Sequence, residues 1–178
     1  MIPKKYILSL LLSFGIIFGV LGSNAIAVCD PCGDCEGYLE DIIGQVDIAL
    51  ERIDNAEIKL IEPVSVVDRI RARASLRLAK INITRALLKS RRCSLSDCLI
   101  FSPDSATSGE IAVFEKYNLD SDTVTLKEGL RKAKKILSKA ILKIYARKYS
   151  EALPLLGDAT IILGAVTNAD PCPIPEGS

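Results

Sequence analysis

From Leu39 to Leu60 the residues Leu39, Ile43, Val46, Leu50, Ile53 and Leu60 recur at alternating four- and three-residue steps, with Ile42 and Ala56 widening the stripe. Only an α-helix lays this spacing along one face, so the segment predicts an amphipathic helix over about 36–61 that must press its apolar side on a partner. Glu57 alone interrupts the series. Pro63 follows and prevents an unbroken helix into the next segment.

That next segment, about 64–92, reads two ways. Ile70, Ala72, Ala74, Leu76 and Leu78 alternate with Arg or Ser as in a strand. Its length of about 30 residues without a turn signal exceeds any ordinary strand, however, and Ala, Leu, Arg and Lys are strong helix formers. As a helix it has two apolar faces, one with Ile70, Ala74, Leu78, Ile81 and Leu88, the other with Leu76, Ala79, Ile83 and Leu87. It is expected to touch two neighbours.

Two more helices are expected. One runs over about 126–146, opened by a capping box of Thr125 and Glu128, with a seam of Leu126, Leu130, Ala133, Leu137, Ala140 and Ile144. The other covers about 150–166, with Pro154 in its first turn and a stop at Asn168 to Pro171. Between Cys93 and Asp122 the chain is polar, a long crossover loop holding at most a short helix from Glu110 to Tyr117 capped by Ser108. Around the last turn, Ala140, Arg147 to Leu153 and Ala159 resemble the helix pair of a tetratricopeptide repeat. The likeness covers about 30 residues of one unit with no second copy, so it implies a tight antiparallel helix pair and little about peptide binding.

The expected architecture is thus all-α, a four-helix up-down bundle with a long loop between its second and third helices. Cys29, Cys32 and Cys35 precede the first helix, Cys93 and Cys98 follow the second, and Cys172 follows the fourth. Up-down topology brings all six to one end, where disulfides can form, since pairing needs Cα atoms within about 7 Å. The expected pattern joins the triplet to Cys93, Cys98 and Cys172, each long-range link contributing about 3–4 kcal/mol in the chain-entropy model, with a local Cys93–Cys98 bridge as the alternative.

Disulfides require an oxidising compartment, and the N-terminus supplies an export signal. Lys4 and Lys5 precede an apolar run from Tyr6 to Leu21, and Ala25-Ile26-Ala27 presents small residues to a signal peptidase. Cleavage is expected after Ala27, leaving 28–178 as one secreted or periplasmic domain. Extending the run to Val28 gives about 23 residues, the length of an uncleaved membrane anchor, but Gly15, Gly19, Gly22, Ser23 and Asn24 dilute it. A lipoprotein modified at Cys29 is opposed by bulky Val28, where a lipobox carries a small residue.

Chemistry is limited by what is missing. The chain has no histidine and no tryptophan, and its single methionine is Met1. Haem attachment, the usual catalytic zinc sites and imidazole-based triads therefore have no ligands or bases to draw on. Two sharper readings of the triplet come from resemblance. Cys29-x2-Cys32-x2-Cys35 with the remote Cys172-Pro173 resembles the ligand pattern of single-cluster bacterial ferredoxins, which implies an iron-sulfur cluster. Cys32-Gly33-Asp34-Cys35 resembles a thioredoxin-type redox pair. Long flanking helices oppose the first, and Asp30, Asp34 and Glu36, which would raise thiol pKa values, oppose the second. Structural disulfides without a cofactor or metal remain the main expectation, with the redox or iron-sulfur protein as the alternative.

Charge supplies the other candidate site. The net charge of +1 becomes −1 when Lys4 and Lys5 leave, yet its distribution is uneven. Helix one carries Glu36, Glu40, Asp41, Asp47, Glu51, Asp54, Glu57 and Glu62 against Arg52 and Lys59. Arg69 to Arg92 holds nine basic residues and no acid, and Lys127 to Lys148 is opposed only by Glu128. Acidic and basic flanks that compensate and set helix pairing are the plain expectation. The alternative is an anion-binding module, with Arg69, Arg73, Arg77, Lys80 and Arg91 on one side of helix two facing membrane headgroups, acidic polymers or an acidic protein. Nucleic acid is not expected without interleaved aromatics or a recognition motif. Asn82-Ile83-Thr84 is formally a sequon but sits inside a predicted helix, and the carboxylate pairs Asp120/Asp122 and Glu36/Glu40 read as loop and helix-start residues. No catalytic residue is expected. The functional expectation is a non-catalytic binding or structural protein of the cell envelope or exterior, with an unknown protein or an anionic envelope component as partner and self-association allowed.

Overall fold

The computed structural model describes residues 36–92, 95, 107–120 and 124–167, which form five α-helices: α1 (Glu36–Ile58), α2 (Val66–Lys89), α3 (Ser108–Lys116), α4 (Leu126–Tyr145) and α5 (Tyr149–Thr167). The described chain is all-α. The six cysteines and the N-terminal 35 residues lie outside it, and with them the cleavage site, the disulfide pattern and the stop at Asn168 to Pro171.

Local chemistry explains the helix ends. α1 stops at Ile58, short of the expected 61, and the Leu60 amide donates to the Glu57 carbonyl as the chain turns toward Pro63. Ser65 then caps α2, its Oγ accepting the Asp68 amide at 3.0 Å, which sets the start at Val66 rather than 64. α2 ends at Lys89 rather than 92, where the buried Ser90 hydroxyl donates to the Leu87 carbonyl. The short loop helix begins at Ser108, and its cap is Thr107 rather than Ser108. Thr107 and Glu110 form a reciprocal capping box, whose two hydrogen bonds from Thr107 hold the Glu110 carboxyl below its usual pKa. Thr125 and Glu128 form the same device at α4. α5 starts at Tyr149, which puts Pro154 in the second turn instead of the first. The carbonyl of Ser150, deprived of a donor there, lies on an exposed stretch where water can serve it.

Two turns share a Schellman geometry. After α4, Arg147 takes φ 60°, its amide donating to the Ile144 carbonyl, and the Lys148 amide donates to the Lys143 carbonyl. After α3, Asn118 takes φ 51°, with Asn118 and Leu119 amides on the Glu115 and Phe114 carbonyls. Asparagine tolerates the left-handed region; arginine holds it against its Cβ.

α1 packs on α2 and α5, and α4 packs on the same two, so each of the four long helices has two long neighbours, while α3 packs on α5. The core line of α1 is Ile42, Val46, Ala49, Ile53 and Ala56, continued by Leu60 in the turn that follows, all buried. Leu39, Ile43 and Leu50, members of the expected stripe, are only half-buried beside it. The two alanines let a neighbouring helix approach closely, which rotates α1 slightly from the face its larger residues define. α4 buries its expected seam in full: Leu126, Leu130, Ala133, Leu137, Ala140 and Ile144 are all inside. α5 is long and apolar enough to cross a membrane by length and composition alone, and here it buries eight residues against α1, α3 and α4.

α2 departs most from expectation. Ala72, Leu76, Ala79, Ile83 and Ala86 face the core, and α2 has the two helix neighbours expected, but its second apolar face is left largely open: Ile70, Leu78, Ile81 and Leu88 are exposed. α4 instead packs alongside the line Arg73, Arg77, Lys80, Thr84, Leu87 and Arg91, a quarter-turn from the core face. Asn82, the sequon asparagine, is 7% exposed and so is closed to a modifying enzyme in the folded chain.

Candidate anion-binding groove

The α2–α4 seam is where the charge expectation can be examined residue by residue. Arg73-x3-Arg77-x2-Lys80 on α2 and Lys127-x3-Arg131-x2-Lys134 on α4 repeat the same four-then-three step, so each helix presents its cations along one edge. The helices run antiparallel, because Arg77 Nη2 donates to Tyr145 Oη at 2.5 Å at one end while Arg91, Lys127 and Arg131 line a common hollow at the other. That hollow, of about 310 Å³, is closed by Leu87 and Ser90. A second of about 310 Å³ lies further along the seam between Arg77, Lys80, Ile81, Thr84 and Lys134. Arg73 covers the Tyr145 ring at 4.1 Å, a cation–π contact that fixes both side chains across the seam. From Arg73 to Arg91 is 18 residues, so the groove is about 27 Å long.

Of the five residues expected to bind anions, Arg77 and Lys80 line one hollow, Arg91 lines the other, and Arg73 borders the seam through Tyr145. Arg69 lies one turn before Arg73 and lines neither hollow. Lys127, Arg131 and Lys134 complete the groove. Their common spacing with the α2 cations was the available sequence signal, but only the packing of α4 on α2 turns two edges toward each other.

Carboxylates neutralise other cations and leave this seam alone. Lys89 on α2 pairs with Asp41 across the α1–α2 contact. Glu151 binds both Lys143 at 2.5 Å and Lys148 at 2.8 Å, and these two ammonium groups hold its carboxyl down to about 2. Lys116 pairs with Asp158, and Lys132 donates to the Tyr117 carbonyl. Among the described residues no carboxylate is paired with Arg77, Lys80, Arg91, Lys127, Arg131 or Lys134. The plain expectation of compensating flanks is met where acidic α1 packs on α2, at Asp41–Lys89, and where Lys143 of α4 meets Glu151 of α5, but the two basic helices are also neighbours. With Arg73, which likewise has no carboxylate partner among the described residues, these make seven cations along about 27 Å of the seam.

Among the described residues there is no group of three or more His, Cys, Asp or Glu side chains placed to hold a metal ion. Comparison of the chain with protein-family models, with curated proteins and with solved structures gives no match. The fold and the groove describe an all-helical protein with a polycationic interhelical surface.

Proposed function

We propose that this chain is an exported, non-catalytic binding protein of the cell envelope or exterior, which holds an anionic envelope component along the α2–α4 groove. Its body is an up-down bundle of α1, α2, α4 and α5. The short connections of 59–65 and 146–148 and the cyclic helix contacts support that topology. Disulfides staple the end where α1 begins and α2 and α5 finish. Their support is the sequence positions of Cys35, Cys93 and Cys172 next to those helix ends, together with the export signal.

The observation that carries the reading is the seven-cation groove with no carboxylate partner. Like charges packed against one another destabilise the free protein, and a ligand that neutralises them recovers that cost on binding. Polyphosphate and poly-glutamate, as probes of a linear polyanion, should bind with an affinity that falls steeply as salt rises. The triple variant Arg77→Ala/Lys80→Ala/Arg131→Ala should weaken binding by about tenfold or more at low salt, since each exposed charge contributes of order 1 kcal/mol. Binding that ignores salt, or survives the triple variant unchanged, rules the reading out. Intact mass before and after reduction, with thiol alkylation, tests leader cleavage and disulfide count in the same preparation.

A further inference from the structure

The outer face of α2 is apolar where a solvated helix face should be polar. Val66, Val67, Ile70, Leu78, Ile81 and Leu88 have between 45% and 61% of their surface exposed. Val67, Ala74, Ile81 and Leu88 follow one another at strict seven-residue intervals, so they form a continuous ridge opposite the buried face. From Val66 to Leu88 that ridge is about 33 Å long. Beyond the seam, Leu142 at 66% and Tyr145 at 48% exposure extend it onto α4. Cations border the ridge on both sides: Arg73, Arg77 and Lys80 toward α4, Arg71 and Arg85 on the opposite flank.

We infer that this ridge and its basic borders form a docking surface for an anionic lipid bilayer, with the apolar side chains entering the headgroup–acyl boundary and the arginines and lysines meeting lipid phosphates. The inference rests on the anion-binding reading of the groove and names the partner. Charge complementarity argues for it. A second copy placed on the same face would set arginine against arginine, since a two-fold interface is self-complementary. The ridge is the outer side of a single helix and therefore convex, whereas a protein partner would have to supply a matching cleft with acids on both rims. A bilayer supplies a deformable apolar layer flanked everywhere by phosphates at one depth, which matches a ridge with cations on both sides. Long basic side chains can reach up to the phosphates while their stems stay against the apolar line, and a tyrosine at the border suits the headgroup level.

The test uses the purified exported protein with vesicles of phosphatidylglycerol in phosphatidylcholine, neutral phosphatidylcholine vesicles as the reference for charge-independent adhesion, and polyphosphate as the soluble polyanion. The ridge variant Ile70→Ser/Leu78→Ser/Leu88→Ser is expected to fold, because these side chains are exposed, and none of the three lines a hollow of the groove; a thermal melt checks the fold. Co-sedimentation with anionic vesicles should fall by about tenfold or more in this variant while polyphosphate binding stays within about twofold of wild type. Because the chain has no tryptophan, Leu88→Trp, on the ridge and outside both hollows, gives a single indole whose emission should shift to the blue on anionic vesicles and not on polyphosphate. Unchanged vesicle binding in the ridge variant, or no spectral shift, overturns lipid docking and leaves the groove reading standing. Loss of both vesicle and polyphosphate binding in the wild type overturns the two together. A dimer mass that the ridge variant abolishes overturns lipid docking in favour of self-association.

Discussion

The joint between α3 and the helices beneath it offers a quantitative test. Asp158 on α5 is 9% exposed and accepts from Tyr117 Oη and Lys116 Nζ, each at 2.6 Å. Asp158→Ala leaves the Tyr117 hydroxyl without its acceptor. A hydrogen bond to a charged group contributes about 1.5–3 kcal/mol. The Lys116 ion pair adds little, since the lysine side chain is 52% exposed and returns to water. Relief of the aspartate's own desolvation offsets part of the loss, so about 2 kcal/mol is expected, or about 4–8 °C in Tm for a domain of this size. Tyr117→Phe should cost about 1 kcal/mol, and the double variant should fall short of the sum by about 1 kcal/mol. Thermal and urea melts followed by circular dichroism measure all three. Additivity within about 0.3 kcal/mol would show that the bond does not hold α3, and the account of this joint would be wrong. The pair also carries a pH signature. Burial first, then the hydrogen bond and negative charge of Asp158, push the Tyr117 hydroxyl above its usual value of 10.0. Its folded pKa therefore exceeds its unfolded one, so its contribution is complete below pH 10 and is lost as pH rises from there toward the folded value. Wild type should lose stability more steeply than Tyr117→Phe in that alkaline range.

Two further substitutions probe the backbone and the core edge. Arg147→Gly should raise stability by about 0.5–1 kcal/mol, because glycine occupies φ 60° without the Cβ conflict; a lower melting temperature would contradict the Schellman account of this turn. Glu57 is held above its usual pKa by burial and, secondarily, by Asp54. A carboxyl whose folded pKa is raised favours the folded state once protonated, so wild type should gain on Glu57→Gln as pH falls from neutral through that raised pKa. A stability difference that is flat over this acid range would show that the side chain is solvated.

How much could be read in advance depended on whether a helix has one apolar face or two. α4 could be read to the residue, because one seam of six residues and one capping box leave no choice of face. α1 was nearly as clear: Ala56 was read as part of the stripe, whereas Ala49 was missed, because large-residue periodicity underweights it, and Leu39, Ile43 and Leu50 are only half-buried. α2 was readable as a helix with two apolar faces and two neighbours, but not for which face is buried: Ile70, Ile81 and Leu88 are as hydrophobic as Leu76 and Ile83, and only small Ala72, Ala79 and Ala86 mark the core side. The groove followed the same logic. Its α2 cations were visible as a line, but whether α4 or acidic α1 would lie beside them is a tertiary fact. The loop helix began one cap earlier because Thr107, not Ser108, stands three residues before a glutamate.

The order of contacts along the chain has a kinetic consequence. α1–α2 and α4–α5 are each made by sequence neighbours joined through short turns, so each pair can assemble locally, with little loop-closure entropy to overcome. Joining the pairs is the non-local event, and it forces the cations of α2 and α4 together. Electrostatic repulsion between the two basic edges therefore belongs to the joining of the hairpins rather than to the formation of either one. A chain with this layout is expected to show its sensitivity to ionic strength in that non-local step.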